Sequence, residues 1–446
     1  MTTKEFHHAL KIDQELCIGC ANCMRVCPTE AIRVREGKAY LEANRCIDCG
    51  ECFRHCPVNA IVIEQDDFNK IFDYPYRVAL IPAVFLGQFP EEISNEAIHS
   101  SLKALGFTHI LEVENSVDIV YQGLQKEIKK KNSSKPAIST FCPAIVRLIQ
   151  VRFPSLIPNL LSIKPPLDIG AIYLREKLEK EGIPPQETGL FYITQCAAKI
   201  AAIKSPVGES SSPINGVINM DYIYNKVYTT IKQQDNDYCA IPDKQELDKR
   251  DILWSLTNGE KDHIGQRSLA IDGINNVMDF LERVENEEIN TIDFLELRAC
   301  DESCAGGVLT GGNRFLTVER MRNRAQRAQN VHKKEILNYK TQLMKQIHTG
   351  PVDARSMLKL DNDLSKAIRK MQQIQMTMER LPRVDCTICG APTCRALAED
   401  IVQGKANINQ CIFIQKRKEQ KDLMTQQESL KIMKSVWGKP KLDKNR

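Results

Sequence analysis

The 446-residue sequence predicts an α/β protein with parallel strands, flanked by two smaller cysteine-rich domains. Three observations predict this class. Two cysteine runs with the same spacing stand near the N-terminus. Short apolar runs then alternate with polar helical stretches over residues 75–340, and this alternation is typical of parallel α/β folds. A further cysteine group follows a long helical stretch near the C-terminus. A chain of this length exceeds one ordinary core, so we expect several domains.

The first element, residues 1–70, is a repeated cysteine motif with the spacing C-x2-C-x2-C-x3-C-P. It resembles the two-cluster bacterial ferredoxins, in which the fourth cysteine of each run binds the cluster of the other run. We therefore predict two 4Fe-4S clusters and a role in electron transfer. One cluster would be held by Cys17, Cys20, Cys23 and Cys56, and the other by Cys46, Cys49, Cys52 and Cys27.

Composition excludes several classes of protein. Hydrophobic residues make up 42% and charged residues 26% of the chain, as in soluble globular proteins. The net charge is only +4 among 61 basic and 57 acidic side chains, so we expect no nucleic-acid partner. The longest apolar stretch, residues 78–86, is too short for a membrane span. Many cysteines without a secretion signal indicate metal-bound thiols, and we expect a cytoplasmic protein.

Within residues 75–340, three apolar runs each predict a strand that ends in a cysteine at the start of a helix. In parallel α/β folds, ligands gather at the carboxyl ends of strands, and a helix start lowers the pKa of a thiol. We predict that the three loops bring four thiolates to one site. Cys239 matches no pattern and is expected to be structural. The four predicted ligands are Cys142, Cys196, Cys300 and Cys304.

A helical linker, residues 341–381, follows this domain. Apolar residues recur in it every seven positions, as in a heptad pattern. The pattern predicts either a helix packed along its own domain or a homodimer through residues 357–381. The two apolar series are Met357, Leu364, Met371 and Met378, and Leu360, Ala367, Ile374 and Leu381.

The last cysteine group lies in a predicted domain over residues 382–415, followed by a polar tail over 416–446. Its spacing is C-x2-C-x4-C-x16-C, and four cysteines can hold either zinc or a 4Fe-4S cluster. The string C-x-x-C-G-x-P-x-C, with Gly404-Lys405-Ala406 further on, resembles a small helical 4Fe-4S domain of redox proteins. This resemblance implies a cluster held by Cys386, Cys389, Cys394 and Cys411.

Residues 75–320 resemble the catalytic domain of the iron-only, or [FeFe], hydrogenase large subunit, which implies a two-lobed parallel-sheet domain. The three cysteine loops carry the resemblance, together with Lys199, three residues after Cys196, and the Gly-Gly pair after Cys304. The ferredoxin-like repeat and the last cluster domain match divergent members of the sensory type. The resemblance implies a fourth 4Fe-4S cluster on Cys142, Cys196, Cys300 and Cys304, which Cys304 bridges to a two-iron centre with CO and cyanide ligands. Lys199 would hydrogen-bond a cyanide, so Lys199 and Cys304 are the predicted catalytic residues.

Three single positions and one three-residue segment depart from the family pattern. Phe141 stands where efficient hydrogenases have a proton-relaying cysteine, and Arg298 stands where most have methionine. Ala202 replaces a glutamate, and residues 301–303 replace small residues. Since loss of a positioned acid–base group typically costs about 10²–10⁴ in rate, these changes imply a slow enzyme.

Two functions are compatible with the resemblance. The first is a divergent, slow hydrogenase or hydrogen sensor, an oxidoreductase that passes electrons from hydrogen to a ferredoxin-type acceptor or a signalling subunit. The alternative is a non-catalytic electron-transfer or iron–sulfur scaffold protein with the same fold and no two-iron centre. Lys199 and the C-x3-C pair favour the first function, whereas Phe141 and Arg298 favour the second. The sequence contains neither a P-loop nor a dinucleotide-binding glycine fingerprint.

Overall fold

The computed structural model describes residues 6–130, 136–233, 247–265, 267–328, 334–357, 360–361, 363–438 and 441. Cys239 lies outside these residues. The chain forms two compact units. Unit 1 comprises residues 1–9 and 65–354, and unit 2 comprises residues 10–64 and 355–446.

Helices and strands alternate through most of the described residues. The strands are β1 (Leu10–Ile12), β2 (Ile32–Arg35), β3 (Lys38–Leu41), β4 (Ile61–Ile63), β5 (Tyr76–Ile81), β6 (His109–Glu112), β7 (Ala137–Ile138), β8 (Thr188–Thr194), β9 (Gly216–Asn219), β10 (Ser268–Ile271) and β11 (Phe294–Leu297). The helices are α1 (Asn22–Arg25), α2 (Glu51–Arg54), α3 (Ala83–Leu86), α4 (Asn95–Ala104), α5 (Val117–Lys130), α6 (Pro143–Arg152), α7 (Pro166–Lys180), α8 (Ala197–Lys204), α9 (Met220–Gln233), α10 (Lys249–Leu253), α11 (Lys261–Ile264), α12 (Ile274–Glu285), α13 (Arg314–Arg327), α14 (Lys340–Lys345), α15 (Leu364–Arg380), α16 (Cys394–Val402), α17 (Ile412–Glu419) and α18 (Gln426–Trp437). Across the described residues, no helix is both long and apolar enough to cross a bilayer.

Unit 1 contains two parallel sheets. The first has the strand order β6-β5-β8-β9 and the second the order β10-β11-β7. All seven residues of β8 are buried, which is typical of parallel strands covered on both faces. The α/β class with two parallel-sheet lobes is therefore confirmed. Strands β7, β8 and β11 end a few residues before the cysteines at 142, 196 and 300, so the sheets position these three loops.

Unit 2 is built from both ends of the sequence. Its strands form two antiparallel pairs, β1 with β4 and β2 with β3. The Val34 N–H in β2 donates to the carbonyl of Gly390 over 2.8 Å, and the Gly37 N–H donates to Val436 over 2.9 Å. The sequence predicted residues 1–70, 341–381, 382–415 and 416–446 as four segments, whereas residues 10–64 and 355–446 form one compact unit. These long-range contacts join segments that no local pattern connects.

The segment predicted as a polar tail contains an ordered helix, α18. Thr425 and Glu428 form a capping box at its start, which satisfies two backbone N–H groups that would otherwise lack partners. Val436 is fully buried, and the Trp437 indole N–H donates to the carbonyl of Ile388 over 2.8 Å. The sequence did not predict this helix, because only a few of its residues are buried and its composition is therefore polar.

Helix α15 carries the predicted heptad pattern, and its two apolar series differ in burial. Ile374 and Leu381 are buried in a core that also contains the cysteines at 389, 394 and 411. In the other series, the exposed fraction is 76% for Leu364 and 60% for Met371. The helix is thus packed along its own domain. A homodimer through residues 357–381 remains a prediction.

Candidate metal centres

Two groups of cysteines meet in the ferredoxin-like part of unit 2. The first group lines one small cavity and comprises Cys17, Cys20, Cys23 and Cys56. In the second group, Cys27 interacts electrostatically with Cys46, Cys49 and Cys52. The fourth cysteine of each run therefore lies with the first three of the other run. This is the crossed grouping that the repeat predicts, and cluster ligation by these residues remains a prediction.

Backbone N–H groups surround these sulfur atoms in the same way in both runs. The Ala31 N–H donates to Cys27 Sγ over 3.2 Å, and the Ala60 N–H donates to Cys56 Sγ over 3.2 Å. Hydrogen bonds to the sulfur atoms help to set the reduction potential of an iron–sulfur cluster. The donors belong to the backbone, so the repeat supplies them whatever the side chains are.

Burial keeps the thiols of Cys23 and Cys46 protonated until iron displaces the proton. It raises the pKa of Cys23 to about 12 and places the pKa of Cys46 well above its ordinary value. Neighbouring cysteines raise both values further. Since iron binds the thiolate, cluster insertion must release protons.

The third cysteine group in unit 2 also lines one small cavity. Its members are Cys386, Cys389, Cys394 and Cys411. Cys394 begins α16, and its N–H donates to the Asp385 carboxylate over 2.6 Å. Gly390, next to Cys389, has φ +75°, and a Cβ there would lie 2.2 Å from the Val34 carbonyl oxygen. Only glycine fits this turn, which allows the cysteine loop to approach β2 closely.

In unit 1, the three predicted loops converge. Cys142 and Cys196 immediately precede α6 and α8 as their N-cap residues. Both interact electrostatically with Cys304 and with each other. Cys300 lies four residues before Cys304 in the loop after β11. The structure thus brings Cys142, Cys196 and Cys304 together, with Cys300 in the same loop as Cys304, and their role as a cluster ligand set remains a prediction.

The third loop differs from the sequence prediction, because Cys300 does not begin a helix. Glu302 and Ser303 have φ values of +59° and +52°, in the left-handed region that interrupts a right-handed helix. A single 3-10 turn, Ser303–Gly306, follows, and α13 begins only at Arg314. The prediction of a helix start at this cysteine was wrong.

The predicted lowering of thiol pKa at the helix starts was also wrong. Burial raises the pKa of Cys142, and it raises the pKa of Cys196 to about 12. The helix-terminal N–H groups act in the opposite direction but do not compensate for removal of the thiolate from water. These cysteines need a metal to become thiolates at neutral pH.

Lys199 lies beside the converged cysteines on α8, and its side chain is almost completely buried. Its ammonium is 3.3 Å from the Tyr192 hydroxyl and 4.9 Å from the centre of the Phe141 ring. Burial alone would lower the pKa of Lys199, but Tyr192, Cys304 and Cys196 raise it above its ordinary value. Within the described part of the chain, this ammonium has no ion pair, so it has donor capacity for a further anionic group.

A cavity of about 360 Å³ adjoins Lys199. Phe141, Ala202, Glu114 and Asp168 line it together with the lysine. Burial raises the pKa of Glu114 to about 8 and that of Asp168 to about 6. Ala202 has no carboxylate, and the acidic groups of the cavity wall are those of Glu114, Asp168 and Glu209, the last of which pairs with Lys164.

Sequence reasoning did not identify Glu114, Asp168 or Tyr192 as site residues. Glu114 follows β6 by two residues, and the rule that ligands gather at strand ends could have identified it. Tyr192 lies inside β8, where an apolar strand predicts only core. No local signal distinguished Asp168, which lies in the first turn of α7.

Buried polar atoms around the four cysteines fit an anionic cluster. In the part of the chain that the structure describes, Gln195 Nε2 and Ser255 Oγ are buried without hydrogen-bond partners. Gln195 precedes Cys196, and the Ser255 carbonyl accepts the Cys304 N–H over 3.2 Å. Such unpartnered donors are uncommon in folded proteins, and the sulfur atoms of a 4Fe-4S cluster accept hydrogen bonds. The residues present therefore fit this cofactor.

Three family models match the chain. One, "Iron only hydrogenase large subunit, C-terminal domain", matches residues 76–252. "4Fe-4S dicluster domain" matches residues 9–70, and "Putative Fe-S cluster" matches residues 381–413. The large subunit of the periplasmic [Fe] hydrogenase of Nitratidesulfovibrio vulgaris is 26% identical over 325 residues, which cover 68% of this chain and 75% of the relative.

These matches support an [FeFe]-hydrogenase-like family member. A second relative of this hydrogenase-like chain is the NADP-reducing hydrogenase subunit HndD of Solidesulfovibrio fructosivorans, which is 21% identical over 319 residues. The match covers 69% of the hydrogenase-like chain and half of that relative. A solved variant of the [FeFe]-hydrogenase HydA1 from Chlamydomonas reinhardtii has a TM-score of 0.48 and 15% identity, and the match covers 64% of this chain and 96% of that one.

The hydrogenase-like chain is thus an iron–sulfur protein of the hydrogenase family. The matched models support 4Fe-4S binding within residues 9–70 and 381–413. The hydrogenase model contains Cys142, Cys196 and Lys199 but ends at residue 252, before Cys300 and Cys304. The relatives are hydrogenases, so they do not favour the scaffold alternative.

Proposed function

We propose that this protein activates hydrogen slowly, or senses it, at a two-iron centre beside Cys304 and Lys199, with electrons passing through 4Fe-4S clusters. The observation that carries the proposal is the buried Lys199 ammonium, which lies between the converged cysteines and a cavity and has spare hydrogen-bond donors. When bound, the two-iron centre supplies Lewis-acid and redox chemistry toward hydrogen. The residues of the chain would bind this centre, orient its ligands and supply a proton.

Four cysteines would hold the 4Fe-4S cluster of this site, with Cys304 as the bridge to the two-iron centre. Lys199 would hold a small anionic ligand of that centre, a role that suits a compact ammonium with three donors. Its raised pKa keeps it charged throughout the neutral range. The ligand set is Cys142, Cys196, Cys300 and Cys304.

Slow proton transfer favours a sensor over a high-flux enzyme. Phe141 cannot carry a proton, and its ring contacts the Lys199 ammonium at 4.9 Å and the Arg298 guanidinium at 4.0 Å. Glu114 faces the same cavity as Lys199 and, with a pKa of about 8, holds a proton at neutral pH. Its Oε2 accepts the Ala83 N–H over 2.7 Å, so Oε1 is the atom available to exchange the proton.

Infrared spectroscopy tests the proposal. The protein is expressed with the hydrogenase maturation machinery and examined for CO and cyanide stretching bands under argon and under hydrogen. We expect bands that shift with hydrogen in the wild type, and their loss or marked weakening in Lys199→Gln. Lys204→Gln is the matched control, because Lys204 lies on the same helix but pairs with Asp66, and it should keep the bands. Absence of bands in wild-type protein with intact 4Fe-4S clusters would overturn the proposal.

We also propose a redox protein or signalling subunit as the physiological partner, and a cytoplasmic location. The chain's cysteine content and its sequence motifs support both. The test is reduction of the purified 4Fe-4S clusters by candidate electron-carrier proteins from the same cells. Failure of every soluble carrier to exchange electrons would contradict the partner proposal.

A further inference from the structure

Arg298 is a buried cation at the four-cysteine site of unit 1. It directly follows β11, and only 2% of the residue is exposed. One nitrogen, Nη2, is 2.9 Å from Glu260 and 3.3 Å from Glu296. Both carboxylates are themselves buried. The guanidinium is therefore anchored at one end by a pair of acids.

These two acids are held in place by other hydrogen bonds. The Ser139 hydroxyl lies 2.9 and 2.8 Å from the two Glu260 carboxylate oxygens. Glu296 Oε2 accepts the backbone N–H groups of Glu260 and Lys261 over 2.9 Å each. Because the carboxylates are fixed, they cannot rotate to satisfy the other nitrogens of Arg298.

The remaining donors of Arg298 lack partners. Nε and Nη1 are buried and, in the described part of the chain, make no hydrogen bond. The guanidinium interacts electrostatically with Cys304 and Cys142, and its carbon lies 4.0 Å from the centre of the Phe141 ring. Burying an unsatisfied donor costs about 1–3 kcal/mol, and more when it is charged. An acceptor at the cysteine site would remove this cost.

We propose that Arg298 is a positioning residue that donates N–H···S hydrogen bonds from Nε and Nη1 to the 4Fe-4S cluster on the four cysteines and makes this cluster easier to reduce. Hydrogen bonds to sulfur and nearby positive charge both stabilise the reduced, more negative cluster. Reduction adds one electron to the cluster and forms or breaks no covalent bond. The inference rests on the proposed function only for the presence of this cluster, not for the two-iron centre.

The consequence concerns the direction of electron flow. A cluster that is easier to reduce accepts electrons from hydrogen more readily than it delivers them to protons. A neutral methionine at this position would lack both the positive charge and the two N–H groups that Nε and Nη1 offer. Arg298 would therefore bias the site toward hydrogen oxidation or sensing.

A redox titration followed by electron paramagnetic resonance tests this inference on the full chain expressed without the maturation machinery. The unit 1 cluster is identified as the signal that Cys196→Ser removes. In Arg298→Met, we expect its reduction equilibrium constant to fall at least tenfold, which is about 59 mV for one electron. Arg298→Lys keeps the positive charge but loses the paired Nε and Nη1 donors, so the reduction potential should shift in the same direction by a smaller amount.

Loss of Arg298 leaves Glu260 and Glu296 unpaired, which can prevent folding. A triple variant, Arg298→Met with Glu260→Gln and Glu296→Gln, removes these charges and is compared with the double variant Glu260→Gln/Glu296→Gln, which differs from it only at residue 298. We expect the shift between these two proteins, and an unchanged potential both in this comparison and in the lysine variant would overturn the inference while the cluster assignment stands. Absence of any signal that depends on Cys196 would overturn both the inference and the proposed function.

Discussion

The cysteine sites of the two units are built in contrasting ways. In unit 2, ligands of the ferredoxin-like repeat come from two short runs, and backbone N–H groups such as those of Ala31 and Ala60 reach their sulfur atoms. In unit 1, the cysteines come from three loops far apart in sequence, and the charged side chains of Lys199 and Arg298 lie beside them. The arrangement in unit 2 tolerates most side-chain substitutions, because backbone groups donate the hydrogen bonds. The arrangement in unit 1 depends on a few side chains, so its chemistry can change by single substitutions while the fold persists.

The largest effect should come from a change that weakens unit 2 but leaves the backbone N–H groups at the ferredoxin-like sulfur atoms unchanged. Asp400 accepts hydrogen bonds from Arg33 Nε over 2.8 Å and from Arg35 Nη2 over 2.7 Å. Asp400→Asn leaves these guanidinium groups without their carboxylate, and we expect a loss of about 3–5 kcal/mol in the free energy of unfolding. Denaturant unfolding measures this loss.

The matched control for Asp400 is Glu42→Gln, which breaks the solvent-exposed pair with Lys405 and should cost at most about 1 kcal/mol. The potentials of the two ferredoxin-like clusters should stay constant in the folded fraction of Asp400→Asn. A shift of these potentials would contradict the view that backbone groups set the cluster environment in unit 2, whereas charged side chains set it in unit 1.

A smaller effect should come from Glu114 in unit 1. Its pKa of about 8 lies above its ordinary value of 4.5, so the folded state binds the proton more tightly than the unfolded state. Stability is then fully present below about pH 4.5 and falls as the pH rises toward 8. Glu114→Gln stays neutral, so its stability relative to the wild type should increase by a few kcal/mol between pH 5 and 8. Unfolding curves at both pH values, with Glu42→Gln as the control, measure the change, and parallel pH profiles would contradict it.

The smallest effect should come from the exposed series of α15. Met371 is 60% exposed, so Met371→Lys should change the free energy of unfolding by less than about 0.5 kcal/mol. Ile374→Lys, on the buried series, should be strongly destabilising. Sedimentation of the wild type and of Met371→Lys tests the homodimer. Dissociation by this change would support a dimer through residues 357–381, and a monomeric wild type would rule it out.

The same contrast explains what could be predicted from the sequence. The ferredoxin-like grouping depends on spacing within two short runs, and the resemblance to hydrogenases identified Lys199 and the scattered cysteines. The raised pKa values of Cys196 and Glu114 arise from burial, which only the folded chain defines. Glu302 and Ser303 have left-handed backbone conformations that prevent a helix from starting in the third loop. Neither residue type predicts this conformation. Short local patterns were therefore predictable, and properties created by long-range packing were not.

Unit 2 also has a consequence for the order of events on the ribosome. Residues 10–64 are synthesised first, but the other half of their unit, residues 355–446, emerges last. Since domains generally fold as they leave the ribosome, the first two cysteine runs must wait through synthesis of the whole of unit 1. During that interval Arg33 and Arg45 lack Asp400 and Glu399, their later partners. The nascent protein therefore carries eight thiols whose unit is incomplete until residues 355–446 emerge, and until then their protection from oxygen falls to the cell rather than to the fold.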